Sequence, residues 1–293
     1  MRLSISVTNY SWPDPTSLRD ELARVGERAD AAGLDTMWVP DHLVQVDPTV
    51  TPGSTDMLEA YTTLGFVAGR TERVRLGALV TNVSMRPPAL LVKAVTTLDA
   101  LAPGRAWLGL GAGYRADEAD DMGLELPPTR ERFERLEETL QIARRMWAGD
   151  DSGYHGRHYH LGRPVGSPRP EHSPRVLIGG MGETRTLRLV AEYADACNLF
   201  DIPDEGATIR RKLAVLARHC DEIGRPYDEI DKTVSTRLAD GETADALGDR
   251  CAHFSELGVD HLIFVSSAPW GDQDLATLAA AAPLVRDVGA ARG

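Results

Sequence analysis

The sequence is poor in cysteine, lysine and aromatic residues, and it has no long apolar run. Its three cysteines, Cys197, Cys220 and Cys251, are widely spaced and form no C-x-x-C pair. That argues against a disulfide framework and predicts buried, reduced thiols in a cytoplasmic protein. No stretch approaches the roughly 18 apolar residues that mark a membrane span. The segment Met1–Val7 alternates like a strand and has no signal-peptide apolar core. Lysine is confined to Lys93, Lys212 and Lys232, so 29 of the 32 basic residues are Arg. With abundant Ala, this is the composition of a GC-rich bacterial genome. The 44 acidic residues leave a net charge of −12. Such a chain is unsuited to nonspecific nucleic-acid binding, which works by neutralising phosphates.

The length, 293 residues, would suit two average domains or one α/β barrel. The pattern along the chain favours the barrel. Short β-rich runs alternate with amphipathic helices. Strands are predicted at 3–8, 36–39, 74–80, 106–110, 176–178, 196–200, 233–238 and 261–265. Helices are predicted near 18–32, 58–69, 87–101, 129–148, 183–193, 207–223, 243–257 and 275–285. Eight strands, each followed by a helix, imply parallel pairing and a (β/α)₈ TIM barrel. A doubly wound open sheet is the rival. No linker of domain-boundary character interrupts the series. Residues 1–293 therefore read as one barrel domain, with an excursion at about 150–174 that is rich in Gly, His and Pro and suits a hairpin.

In a barrel, chemistry sits where strands end and helices begin. Three such tips stand out. Asp41-His42 ends the second strand, and a histidine there can give or take a proton near neutrality, with a neighbouring carboxylate tuning it. Gly179-Gly180-Met181-Gly182 links a buried-looking strand to a helix, which suits a phosphate held by backbone N–H groups. Arg185 and Arg188 stand near to add cationic contacts. Gly111-Ala112-Gly113 opens a G-x-G-x-x-A pattern, but no helix follows at once and no acidic strand end comes about 20 residues later. A backbone tip passing close to a flat ligand fits better than a dinucleotide site. His155, His158 and His160 lack metal-site spacing and read as a polar hairpin. The charged faces of the 129–148 helix, Glu131, Glu134, Glu137 and Glu138 among them, read as solvated surface laced with ion pairs. No metal site is expected.

With these residues in view, the chain resembles the bacterial luciferase-like family of flavin- and deazaflavin-dependent oxidoreductases. The marks are Ala32-Gly33-Leu34-Asp35, Met37 through His42, Leu76 through Asn82, Arg105 through Gly113, the helix segment 132–140, Tyr154–Tyr159 and Ile178–Gly182. The resemblance runs from Leu3 to about Leu199 and more weakly to Val265. It implies a TIM barrel with an insertion, and most resembles the branch that uses the 8-hydroxy-5-deazaflavin coenzyme F420. FMN is the alternative cofactor, in a monooxygenase supplied by a separate reductase.

Carried onto this sequence, the resemblance implies catalytic roles for His42 and Asp41. It places Ala78-Leu79 at a non-proline cis peptide beneath the ring. Thr81, Ala112 and Asp117 become cofactor contacts, and Gly179, Gly180, Met181 and Gly182 the phosphate turn. Tyr114 is a departure. It stands where some deazaflavin-dependent sugar-phosphate dehydrogenases carry Glu, which puts a sugar-phosphate substrate and a two-residue acid–base mechanism in doubt. Tyr10, Trp12, Trp38, Tyr114 and Trp270 are candidate aromatic walls. The rim loops 47–56 and 150–174 are expected to shape the substrate pocket. The implied partners are a small organic substrate and a second copy in a homodimer, with no nucleic acid and no membrane. A cofactor-binding protein without catalysis is the alternative of another class.

Overall fold

The structure, a computed structural model, describes residues 1–47 and 54–289. It begins β1 (Arg2–Ser6), α1 (Leu18–Ala31), β2 (Thr36–Val39), α2 (Ala60–Ala68), β3 (Arg75–Ala78), β4 (Thr81–Asn82) and α3 (Pro88–Leu101). Next come β5 (Ala106–Gly111), α4 (Ala116–Asp121), α5 (Thr129–Ala148) and the short antiparallel pair β6 (Tyr154–His155) and β7 (His160–Leu161). The rest is β8 (Arg175–Gly179), α6 (Thr186–Tyr193), β9 (Ala196–Phe200), α7 (Ala207–Ile223), β10 (Asp231–Arg237), α8 (Ala244–Glu256), β11 (His261–Val265) and α9 (Asp272–Val285).

The strands run in the order β3-β2-β1-β11-β10-β9-β8-β5, all parallel, and β3 pairs with β5 to close the ring. This is the eight-stranded TIM barrel, with β4 continuing β3 after a break. Strands buried on both faces read as apolar runs, and β2, β5 and β9 show it, with nearly every residue buried. The helices pack one stripe inward. In α5 Leu136, Leu140, Ala143 and Trp147 are buried, while Phe133 is partly exposed. The helix ends at Gly149, whose φ of +77° forms the left-handed cap that glycine provides cheaply. The excursion 150–174 holds the β6–β7 hairpin. One helix went unpredicted: α4 is only six residues long and acidic, too short for a periodic signal.

At the N-terminal end of the strands, an ionic cluster ties the barrel together. Arg2 pairs with Asp231 at 2.7 Å, Arg175 pairs with Asp231 at 2.8 Å, and Arg75 pairs with Asp35 at 3.5 Å. The opposite end of the barrel carries the cavity.

Candidate active site

A cavity of about 830 Å³ opens at the C-terminal ends of the strands. Its floor is the break between β3 and β4, where Leu79 and Val80 bulge inward; the cis peptide joins Leu79 to Val80, one bond later than the expected Ala78-Leu79. The neighbouring strands are built around this bulge. A Cβ on Gly109 would collide with the carbonyl oxygen of Ala78, and one on Gly111 would lie 2.7 Å from Val80 Cγ2. Glycine on β5 is therefore what admits the bulge. Beneath it the barrel interior is filled by Trp38, Trp107, Leu177, Ala196 and Ile263.

His42 enters the cavity from the end of β2. Its carboxylate partner is not Asp41, as the sequence order suggested, but Glu118 on α4. Glu118 Oε2 lies 2.7 Å from His42 Nδ1, and Oε1 accepts the Leu43 N–H at 2.5 Å. An ionised carboxylate can only accept, so Nδ1 carries the proton and Nε2 is the ring's remaining nitrogen. Glu118 is buried, and its two bonds hold the histidine and the loop after it together. Asp41 has a different task. Its buried carboxylate takes both arms of Arg86 at 2.5 and 3.0 Å, and Arg86 also pairs with Glu59 at 2.6 Å. Such a bidentate pair is geometrically specific, so Asp41 anchors the turn rather than presenting a free acid.

Four of the expected cofactor contacts line the cavity: Leu79, Ala112, Gly179 and Gly180. Five do not. Ala78 is buried behind the bulge. Thr81 is also buried, its hydroxyl 2.8 Å from that of Tyr61. Burial and the Asp41 carboxylate push the Tyr61 phenol pKa upward, so that pair stays protonated. Asp117 points outward, 64% exposed, and pairs with Arg115. Met181 and Gly182 lie past the cavity edge, where the Gly182 carbonyl accepts the Leu187 N–H at 3.0 Å.

The turn before α6 nevertheless has the form expected of an anion cradle. Gly180 sits at φ +124°, a conformation that side chains rarely adopt. The first turn of α6 carries no acidic residue and its N-cap has no side-chain hydrogen bond. Thr186, at the first helical position, faces the cavity. The two arginines assigned to this turn are placed elsewhere. Arg188 pairs with Glu137 and Glu192, and Arg185 lies 5.6 Å over the Phe133 ring.

Of the five candidate aromatic walls, Tyr114 alone lines the cavity; Tyr10, Trp12, Trp38 and Trp270 are core residues. The Tyr114 ring meets His42 edge-on at 6.1 Å. His158 pairs with Glu134 at 2.8 Å. Among the described residues, no group of three His, Cys, Asp or Glu side chains is placed to hold a metal. No described helix is long and apolar enough to cross a membrane. Of the rim loop 47–56, residues 48–53 lie outside the described residues.

A closed parallel barrel with a histidine, a glycine turn and a deep cavity at the C-terminal rim is a TIM barrel with its candidate site where such barrels carry one. The chain belongs to the luciferase-like monooxygenase family, whose model matches residues 1–287. It is 32% identical over 238 residues to an F420-dependent glucose-6-phosphate dehydrogenase of Kineococcus radiotolerans, a match covering 78% of this chain and 66% of that protein. The match thus spans slightly under two thirds of that relative's length. Among solved structures, it resembles an F420-dependent secondary alcohol dehydrogenase in complex with an F420-acetone adduct, with a TM-score of 0.81, 18% identity and coverage of 98% and 100%. It also resembles a riboflavin lyase solved with modified FMN and riboflavin, with a TM-score of 0.82, 11% identity and coverage of 99% and 94%. At these identities the two structures speak for the fold alone.

Proposed function

We propose that the protein is an oxidoreductase that moves a hydride between coenzyme F420 and a small organic molecule. The observation that carries the reading is His42, held by Glu118 at the edge of a cavity floored by Leu79 and Val80. The residues present fit a flat, phosphorylated ring system. The volume, about 830 Å³, lies in the upper range for ligand pockets. The α6 start offers an anion site without a carboxylate of its own. The sequence relationship to an F420-dependent dehydrogenase supports the same cofactor.

On this reading, Leu79 and Val80 support the ring while Gly179, Gly180 and the first turn of α6 bind the phosphate. When bound, the cofactor supplies or accepts the hydride. Glu118 fixes the His42 tautomer, and His42 gives or takes the accompanying proton at Nε2. The Arg86–Asp41 pair keeps the turn that carries His42 in place. The described residues form one barrel domain with 150–174 as its insertion, and the reading places the enzyme in the cytoplasm. A homodimer is the assembly that the resemblance to the family implies.

Titration of the purified protein with coenzyme F420 and with FMN tests the reading. F420 is expected to bind at micromolar concentration or below, with FMN much weaker. The family's own description as monooxygenases supports a second reading, a reduced-FMN enzyme; tight FMN binding without F420 binding would establish it in place of the first. His42→Ala is expected to cut hydride transfer by about 100-fold. If F420 binds but the chain transfers no hydride, it is a cofactor-binding protein without catalysis.

A further inference from the structure

We infer that the second substrate is an uncharged, largely apolar carbonyl compound or its alcohol, and not a sugar phosphate. This deepens the proposed function and rests on it. The first argument is the charge around the cavity. Three guanidinium groups line it among the described residues, and each pairs with a carboxylate, although the Nε atoms of Arg115 and Arg250 are buried without an acceptor. Arg115 pairs with Asp117 at 2.5 Å, Arg237 with Asp47 at 2.7 Å, and Arg250 with Glu242 at 2.7 Å. Four carboxylates, those of Asp41, Asp47, Glu118 and Asp201, line the same space. None of the chain's three lysines is among the lining residues, and residues 48–53 contain no Lys, Arg or His.

The second argument concerns backbone anion sites. The first turns of α4, α8 and α9 carry acidic residues of their own, and Asp204 accepts the Thr208 N–H at the start of α7. The α3 start also lacks an acid and a side-chain cap, but its residues 87–90 do not line the cavity; the α6 start, whose Thr186 does, is taken by one phosphorylated ligand, the cofactor. A second phosphate would enter a partly desolvated cavity lined by carboxylates, without a free cation to meet it. Burying an unpaired charge is strongly unfavourable.

The third argument is the mouth. Tyr114 and Phe200 both line the cavity, 70% and 52% exposed, on the β5 and β9 sides. Met57 and Met85 continue the apolar lining. Aromatic rings left this open at a cavity rim are apolar surface that a ligand can cover. Deeper in the barrel the polar groups are neutral: Ser6, Ser235 and the amide of Asn198. Asn198 and Ser235 already bond to each other, so the Ser6 hydroxyl is the group offered to one carbonyl or hydroxyl oxygen, with a hydrocarbon arm directed outward. In the reducing direction the carbonyl carbon gains a hydride, its two electrons coming from the reduced cofactor, and the oxygen gains a proton from Nε2 of doubly protonated His42, which leaves the Nδ1–H tautomer bonded to Glu118. The cofactor is oxidised and nothing else enters.

The test separates cofactor from substrate. F420 binding is read first, by absorbance titration; its failure overturns the proposed function. A series of methyl ketones of increasing chain length, and glucose 6-phosphate, are then titrated against the F420-loaded protein, or the protein alone if F420 does not bind. Affinity is read from ligand-induced melting shifts. Each added methylene is expected to tighten binding about fourfold until the cavity is spanned. Phe200→Ala and Tyr114→Ala, both at exposed positions, are expected to flatten that dependence while leaving F420 binding in place. Glucose 6-phosphate is expected to bind more than tenfold more weakly than the longer ketones. Ketone affinity independent of chain length, or glucose 6-phosphate within tenfold of the best ketone, overturns the inference.

Discussion

At the scale of single residues, the site turns on which carboxylate meets His42. Sequence order offers Asp41, and geometry supplies Glu118, 76 positions away. The two carboxylates differ in their partners. Asp41 meets a permanent cation, Arg86, and is neutralised by it. Glu118 meets two N–H donors, one on a ring that can change its proton count. That makes Glu118 a positioning residue, argued to act through His42. Replacing it with Gln keeps the shape but gives the side chain one acceptor oxygen and one donor amide. The amide cannot accept from both His42 and Leu43, so one N–H would face another. Glu118→Gln is expected to lower kcat by about 10- to 100-fold while KM and F420 affinity change less than threefold. Steady-state kinetics with a parallel cofactor titration would check it. A matching loss of F420 affinity would instead make Glu118 part of cofactor binding.

At the scale of elements, most of the barrel was legible because local signals agreed. β2, β9, β11, α5 and α7 fall where periodicity and caps put them, and Gly33, Gly149 and Gly224 all take the positive φ that ends a helix. What escaped was set by contacts distant in sequence. Glu118 sits on α4, a helix too short to announce itself. Glu138 looked like one more charge on a solvated face of α5, yet it is buried. Its carboxylate accepts the backbone N–H groups of Arg157, His158 and Tyr159 at 2.7 to 3.2 Å. A Cβ on Gly156 would collide with its Oε2, so glycine is needed there for the hairpin to approach. The insertion is thus tied to α5 by one charged acceptor serving three donors. Glu138→Ala would leave those donors without their acceptor and is expected to destabilise the fold by about 2–4 kcal/mol. Hydrogen exchange at residues 157–159 should accelerate well before exchange in β5 or β8. Unchanged protection there would show that the hairpin is held by other contacts.

At the scale of the whole molecule, the two ends of the barrel divide the work. The C-terminal rim holds the cavity, while the N-terminal end carries a buried polar cluster that joins the neighbouring strands β3, β2, β1, β11 and β10. His261 at the start of β11 is fully enclosed, with Nε2 2.6 Å from the Ser4 hydroxyl on β1, which in turn accepts the Thr36 N–H at the start of β2. Asp35, Arg2, Asp231 and Arg75 surround the ring. Burial lowers the His261 pKa from 6.5 to about 4, although Asp35 pulls the other way. Asp35 is itself held below the usual carboxylate range. Burial alone would raise it, but His261, the Thr36 hydroxyl, Arg75 and Arg2 together outweigh that. Between about pH 6.5 and 4 the unfolded chain therefore binds a proton at His261 that the folded chain refuses. The unfolded state has more bound protons in that window, so stability falls as the pH falls through it. The loss between pH 7 and pH 5 is expected to be on the order of 2 kcal/mol. His261→Gln keeps a hydrogen-bonding group near Ser4 without the titration. It should lower stability at pH 7 yet flatten the slope between pH 7 and pH 5, measured by urea unfolding at each pH. If the variant retains the full acid slope, the titration lies elsewhere, and the cluster at the barrel base is a passive clasp.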